Sequence, residues 1–196
     1  TSGHIESLTL GVAGFGGQTK FWESSVESQA YFPIDDEHKY VFNPSFSAAM
    51  IRPYSKSSIP LWRRYSLGGI GSMRGFDSVG ISLRDPTTKE AVGAENQIRA
   101  SANLFFPMPF MTGTSGIRWL VFADAGTVWG SVSTTVGNQA INVSEPFSLS
   151  RVRYAAGFGL EWISPIGPVG LSWAFPIKTV QGDLQRTFEF LLGGSF

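Results

Sequence analysis

Apolar and polar side chains alternate along this chain with period two, which puts successive residues on opposite faces of a strand. In RVRYAAGFGLEWISP, Val152, Tyr154, Ala156, Phe158, Leu160 and Trp162 share one face, and Arg153, Ala155, Gly157, Gly159 and Glu161 share the other. One face is greasy; the other is small or charged. The pattern returns in GPVGLSWAFP, where Val169, Leu171, Trp173 and Phe175 oppose Gly170, Ser172 and Ala174. It returns again in RTFEFLLGGSF, where Phe188, Phe190, Leu192 and Phe196 oppose Glu189, Leu191 and Gly193. Upstream, IRWLVFADAGTVW, NQIRASANLFFP, KYVFNPSFSAAMIRP, KFWESSVESQAYFP and, most weakly, HIESLTLGVAG read as strands. The total is about eight, each near the roughly 9 to 11 residues a tilted strand needs to cross a bilayer.

Alternation also suits a soluble sandwich, so the placement of charge decides. Within the strand interiors Glu23, Glu27, Arg99, Arg118, Asp124, Arg153, Glu161 and Glu189 all take the parity opposite the aromatic face. A soluble sandwich would expose many Lys and Glu there, yet this face is rich in Gly, Ala and Ser. In a barrel crossing lipid, an outward Lys or Arg at mid-depth costs about 2 to 4 kcal/mol, whereas one facing a polar lumen is tolerated. The segregation follows that penalty. The expected fold is all-β: an antiparallel transmembrane β-barrel of about eight strands, forming a single domain over residues 1–196.

Connection lengths orient it. IDDEHK, MPFMTGTSG and SPIGP are short turns, whereas the segments at about 54–95 and 130–150 are long. Outer-membrane barrels have short periplasmic turns and long external loops. The two long segments are therefore expected outside, with both chain ends on the periplasmic side.

Composition agrees. Charged residues make up 15% of the chain, with 15 basic and 15 acidic side chains in balance, while 16 Phe and 6 Trp raise the aromatic share to 14%. A typical soluble domain carries about 25% charged residues. No apolar run reaches the roughly 18 residues of a membrane helix and no signal peptide opens the sequence, so a helical membrane protein is excluded. The absence of cysteine excludes disulfides and thiolate metal sites. Neutral net charge gives no support to nucleic-acid binding. No cofactor or metal is expected.

Within the first long loop, LGGIGSMRGFDSVG holds five glycines and a single Arg. The stretch YSLGGIGSMRGF resembles the loop signature of the BamA superfamily, the bacterial surface antigen barrels that fold and insert other outer-membrane proteins. In that family a Gly-rich stretch precedes Val-Arg-Gly-Phe or Val-Arg-Gly-Tyr; here Gly68 and Gly69 lead to Met73, Arg74, Gly75 and Phe76, with Met in place of Val. AYFPIDDEHKYV, FADAGTVW, LEWISPIGPVGLSWAFPI and FEFLLGGSF extend the resemblance, in order, over nearly the whole chain. It implies the second half of a barrel that has sixteen strands in the family, located in the bacterial outer membrane.

The resemblance also implies that the loop folds back into the lumen and that its Arg is held by acidic residues of the inner wall. The matching partner is Asp124 in FADAGTVW, whose parity is inward. The family's further acid on the preceding strand has no counterpart here, because that region reads SANLFF, with Asn103 and Phe105 inward. An unpaired guanidinium in a confined lumen is costly. Glycines would let the loop pack closely against the wall while Arg74 pins it.

Other readings carry less. The Gly-rich loop lacks the Gly-Lys-Ser or Gly-Lys-Thr of a phosphate loop, and no Gly-x-Ser-x-Gly is present. His4 and His38 have no metal-ligand spacing; Asp35 and Asp36 occupy a turn, where Asp serves local hydrogen bonds. Trp22, Trp129 and Trp162, near strand ends, fit an interfacial girdle. Phe188, Phe190, Leu192 and Phe196 resemble the C-terminal sorting signal that assembly machinery reads by strand addition. No enzymatic chemistry is expected.

Two functions remain open: an insertase-like module that receives client strands at a seam between its first and last strands, and a structural or pore-forming half-barrel without assembly activity, as a monomer or a homodimer. Partners would be outer-membrane lipid, the assembly machinery and client barrel strands. Both a natural short relative and an excised or engineered half fit the residues, and the second is the favoured expectation. If eight strands close as a monomer, HIESLTLGVAG must pair with RTFEFLLGGSF, and so narrow a barrel would have little room for the loop.

Overall fold

The computed structural model describes residues 2–14, 16–17, 19–55, 57–108, 116–136, 139–164 and 167–193, with the side chains of 134–136 and 139–141 excepted. Phe196 and parts of the MPFMTGTSG and SPIGP turns lie outside the described residues. The strands are β1 (Gly3–Ala13), β2 (Phe21–Pro33), β3 (Val41–Pro53), β4 (Gly75–Phe76), β5 (Asn96–Pro107), β6 (Ile117–Val136), β7 (Gln139–Glu145), β8 (Arg153–Ser164), β9 (Gly167–Lys178), β10 (Gln185–Arg186) and β11 (Phe188–Leu192).

Eight of them form one antiparallel sheet in the order β1-β2-β3-β5-β6-β8-β9-β11, in which each strand pairs with its neighbour in sequence. Adjacent pairing follows from the short turns at one end. At Asp35 the turn is closed by its carboxylate, which accepts the backbone N–H of Tyr40 at 2.8 Å and of Lys39 at 3.2 Å. Pro176, which has no N–H to give a ladder, sits at the register shift between β8 and β9.

The sheet is open. β1 and β11 are its two edges, and no ladder joins them among the described residues. β1 is exposed along nearly its whole length, on both faces.

Strand parity sorts the faces. Phe42, Phe46, Val121, Tyr154, Phe158, Trp162, Phe188 and Phe190 are exposed on the outer face, where hydrocarbon would meet them. Phe158, Trp173 and Phe188 stack in register across β8, β9 and β11, with ring centroids 5.5 and 5.1 Å apart. Asp124, Arg153, Glu161 and Glu189 are buried on the other face. The long segment between β3 and β5 covers Asp124 with Arg74, while Arg153 is covered by Asp183 of the β9–β10 connection and Glu161 pairs with Arg118 of β6.

The long β3–β5 segment supplies most of the largest buried cluster among the described residues. Leu67, Met73, Phe76, Ile81, Leu83, Val92 and Ala94 pack against Val128, Val132 and Ala155 of the sheet's inner face. The loop is held by isolated bridges Tyr65–Ala94, Leu67–Ile81 and Gly69–Met73, and by the β4–β10 ladder. An open sheet leaves room for this packing, which a closed eight-stranded monomer would not.

The second long segment, read from the sequence as a loop at about 130–150, begins instead as a hairpin. β6 runs on past Trp129 to pair with β7, from Gly130 opposite Glu145 to Val136 opposite Gln139. Val132 is fully buried in the core cluster and Val143 packs beside it, which extends the strand beyond the spanning length.

Candidate functional site

Cross-strand register assembles the inner-face site. Ser45, Ser101, Asp124 and Ala155 form one row across β3, β5, β6 and β8; Asn43, Asn103, Phe122 and Gly157 form the next. A single polar and aromatic patch results at mid-sheet. Gly157 is needed there because a Cβ at that position would come within 2.7 Å of the Phe122 ring.

The loop lowers Arg74 onto this patch. Its Nε–H donates to Asp124 Oδ2 at 2.8 Å and one Nη2–H to Asp124 Oδ1 at 2.6 Å, a two-pronged charge-assisted contact. The Arg74 backbone N–H reaches the same Oδ2 at 3.1 Å. Nη2 also donates to Asn103 Oδ1 at 2.8 Å and to Ser101 Oγ at 2.9 Å, and Ser101 donates to Asp124 Oδ1 at 2.6 Å. The guanidinium carbon lies 3.5 Å from the centroid of Phe122. One carboxylate, two neutral acceptors and an aromatic face thus surround one cation, whose side chain is 4% exposed against 2% for Asp124.

The rest of the motif shapes the loop around that contact. Met73 and Phe76 are fully buried in the core on either side of Arg74. Gly75 sits over Ala155, Ala174 and Pro176 with room for no more than a tight Cβ, and pairs with Arg186 across the β4–β10 ladder. Gly69 donates its N–H to the Phe76 carbonyl at 2.9 Å, closing the loop tip, and Gly68 lies against the Asp77 carbonyl. Arg99 of β5 donates to the Gly71 and Ser72 carbonyls at 2.7 and 3.3 Å, tying the tip to the wall.

Phe188, Phe190 and Leu192 are exposed on the outer face of β11, away from the loop. Their inward neighbour Glu189 is buried opposite Ser172, and neither Glu189 Oε2 nor Ser172 Oγ has a hydrogen-bond partner among the described residues. Sequence reasoning passed over Phe122 and Ser101. Their inward parity was visible, but their adjacency to Asp124 depends on the β5–β6 register.

This loop-on-wall architecture coincides with a family-wide match. The Omp85 superfamily domain matches residues 1–196, the full chain. The chain belongs to the Omp85 superfamily. Among Omp85 relatives, the outer membrane protein assembly factor BamA of Neisseria meningitidis serogroup B is 29% identical over 211 residues, covering 100% of this chain and 26% of that protein. A SAM50-like protein of Schizosaccharomyces pombe is 26% identical, covering 95% of this chain and 38% of its own length. The crystal structure of BamA from Haemophilus ducreyi lacking POTRA domains 1-3 superposes with a TM-score of 0.81 at 28% identity, covering 96% of this chain and 38% of that one. The chain therefore spans about a quarter to two-fifths of the length of these Omp85 proteins. As a BamA-like barrel chain it is a protein of the bacterial outer membrane.

Proposed function

We propose that this chain is the seam-bearing part of an outer-membrane barrel-assembly insertase, with β11 offering its free edge to an incoming client strand. The observation that carries this reading is the weak hold on β11. Among the described residues it pairs with β9 over five, from Phe188 opposite Trp173 to Leu192 opposite Val169, with one further backbone bond at each end, Ala174 N–H to the Thr187 carbonyl and Gly193 N–H to the Pro168 carbonyl, whereas β8 and β9 pair over eleven. An unpaired strand edge templates pairing with another chain, and in hydrocarbon each unsatisfied backbone group costs several kcal/mol. Client strand addition would satisfy that edge. The Arg74–Asp124 contact would hold the loop, and through the β4–β10 ladder the segment leading into β11, while strands exchange.

The test places the folded chain in phosphatidylcholine vesicles and adds a urea-unfolded small outer-membrane barrel. Folding, read as heat-modifiable gel mobility, should be faster than in empty vesicles. Equal rates would reject the assembly reading.

The open β1 edge favours a second reading, in which a second copy continues the sheet and the two chains form a structural barrel. Mixing Leu8→Cys chains with Phe190→Cys chains should then give covalent heterodimers on oxidation. Crosslinking confined to single chains carrying both substitutions would reject the dimer.

A further inference from the structure

A bulge at the long-loop end of β9 changes the face taken by its last side chain. Ala174 and Pro176 point inward, against Gly75, so strict alternation would send Lys178 inward as well. The register with β8 shifts between Tyr154 and Ala155: Ala155 faces Pro176 and Tyr154 faces Lys178, which leaves Ile177 as the extra residue. Such a bulge re-aims the side chain beside it. Lys178 therefore stands on the lipid face, with its Nζ 5.5 Å from the centroid of the exposed Tyr154 ring.

Beside this cation the lipid face is hollow. Register sets Phe46, Ala100, Ala125 and Tyr154 in one outward row and Pro44, Ala102, Ala123 and Ala156 in the next, with the bulkier Leu104, Val121 and Phe158 in the row after that. Four alanines of β5 and β6 thus floor a trough of about 540 Å³, walled on the β8–β9 side by Tyr154 and Ile177. That volume lies within the roughly 300 to 1,000 Å³ of sites for small ligands. Apart from the Tyr154 hydroxyl, its outward side chains are apolar. Tyr154 and Lys178 occupy the long-loop ends of their strands, so the cation stands at headgroup level and the second alanine row lies deeper.

Charge limits the occupant. Arg153 and Asp183, the charged groups nearest to Lys178 along β8 and the β9–β10 connection, neutralise each other on the inner face. Lys178 is partly exposed and makes no ion pair among the described residues. One accessible, unmatched positive charge remains at the mouth of the trough.

We propose that the trough holds an acyl chain of a singly anionic phosphodiester lipid whose phosphate meets Lys178. A chain of methylenes suits a hollow with almost no hydrogen-bonding side chains, where a buried polar group would go unpaired at a cost. Lys is a compact point charge on a flexible stem, which matches a single phosphate charge. A zwitterionic lipid offers the same chain and the same phosphate without the net charge, and that difference is what the test reads.

The full chain is folded into phosphatidylcholine vesicles that carry a small, equal fraction of either phosphatidylglycerol or phosphatidylcholine with a photoactivatable group on one acyl chain, and the crosslinks are mapped by mass spectrometry. Crosslinks from the phosphatidylglycerol probe should concentrate on residues 100–102 and 123–125, about fivefold above those from the phosphatidylcholine probe. The outer face of β11 should label equally with both. Lys178→Gln, a change at a partly exposed side chain, should remove the headgroup preference and leave the chain-dependent labelling in place. Ala123→Phe, which fills the trough from the lipid side, should remove the concentration of crosslinks for both probes. Labelling spread evenly over the lipid face, equal labelling by the two probes in the parent chain, or a headgroup preference that survives Lys178→Gln would overturn the proposal.

Discussion

Asp124 takes both prongs of the Arg74 guanidinium and the Arg74 backbone N–H as well, so a single carboxylate fixes the loop's side chain and its main chain together. Both groups are almost fully buried, and breaking a buried pair by removing one partner costs about 3 to 5 kcal/mol. Arg74→Ala and Asp124→Ala should each lower heat resistance on semi-native gels and increase protease cleavage around residues 68–75, without preventing membrane insertion. Because they remove one shared interaction, the double variant should cost clearly less than the sum. Strict additivity would mean that the two residues act separately.

Backbone geometry gives a sharper contrast within the same loop. Gly68 has φ +136 and a Cβ there would overlap the Asp77 carbonyl oxygen, whereas a Cβ on Gly71 would meet nothing within 4 Å. Gly68→Ala should destabilise by at least about 1 to 3 kcal/mol. Gly71→Ala should stay within about 0.5 kcal/mol of the parent. Thermal unfolding of the two variants in detergent compares them directly, and similar losses would show that loop packing does not depend on this close approach.

The strand faces were legible because lipid penalises outward charge so heavily that parity alone separates Tyr154, Phe158 and Trp162 from Arg153 and Glu161. Asp124 was legible as an inward acid for the same reason. Parity gives a face but not a depth, so it could not place Phe122 under Arg74 or Ser101 beside Asp124; those contacts arise from hydrogen-bonded register between β5 and β6. Parity also separates the inward aromatics from the lipid-facing ones: Phe105 and Phe122 point inward and are buried under cations, at 4.2 Å from Arg118 and 3.5 Å from Arg74. The β6–β7 hairpin escaped notice because its Ser and Thr residues read as loop until Val132 is seen in the core.

At the opposite end of the sheet, the N–H of Tyr40, with that of Lys39, holds the Asp35 carboxyl below the ordinary aspartate value. A depressed folded value means that the turn's stabilisation is present above the ordinary value and lost as pH falls through the lowered one. The Tyr40 amide signal should therefore titrate with a midpoint below that of a free aspartate, and Asp35→Asn should abolish the titration. A midpoint at or above the ordinary value would show that these hydrogen bonds do not favour the carboxylate.

Two ion pairs anchor the connection that leads into β11, and burial ranks them. Arg153 and Asp183 have side chains 3% exposed each, and Asp183 also accepts the Val180 backbone N–H at 2.7 Å. Arg186 and Asp77, 52% and 33% exposed, meet at 2.9 Å near the surface. Asp183→Ala leaves a buried guanidinium with only Thr127 Oγ1 and the Arg151 carbonyl, at 3.2 and 2.9 Å, and should cost about 3 to 5 kcal/mol. Asp77→Ala gives up a screened pair worth about 0 to 1 kcal/mol and keeps the Asp77 N–H bond to the Leu184 carbonyl. Detergent unfolding should show a large loss for the first variant and almost none for the second, and raising salt should narrow only the second difference. Comparable losses would mean that the connection is held from its exposed side, and that β11 is secured through the β4–β10 ladder rather than through Arg153.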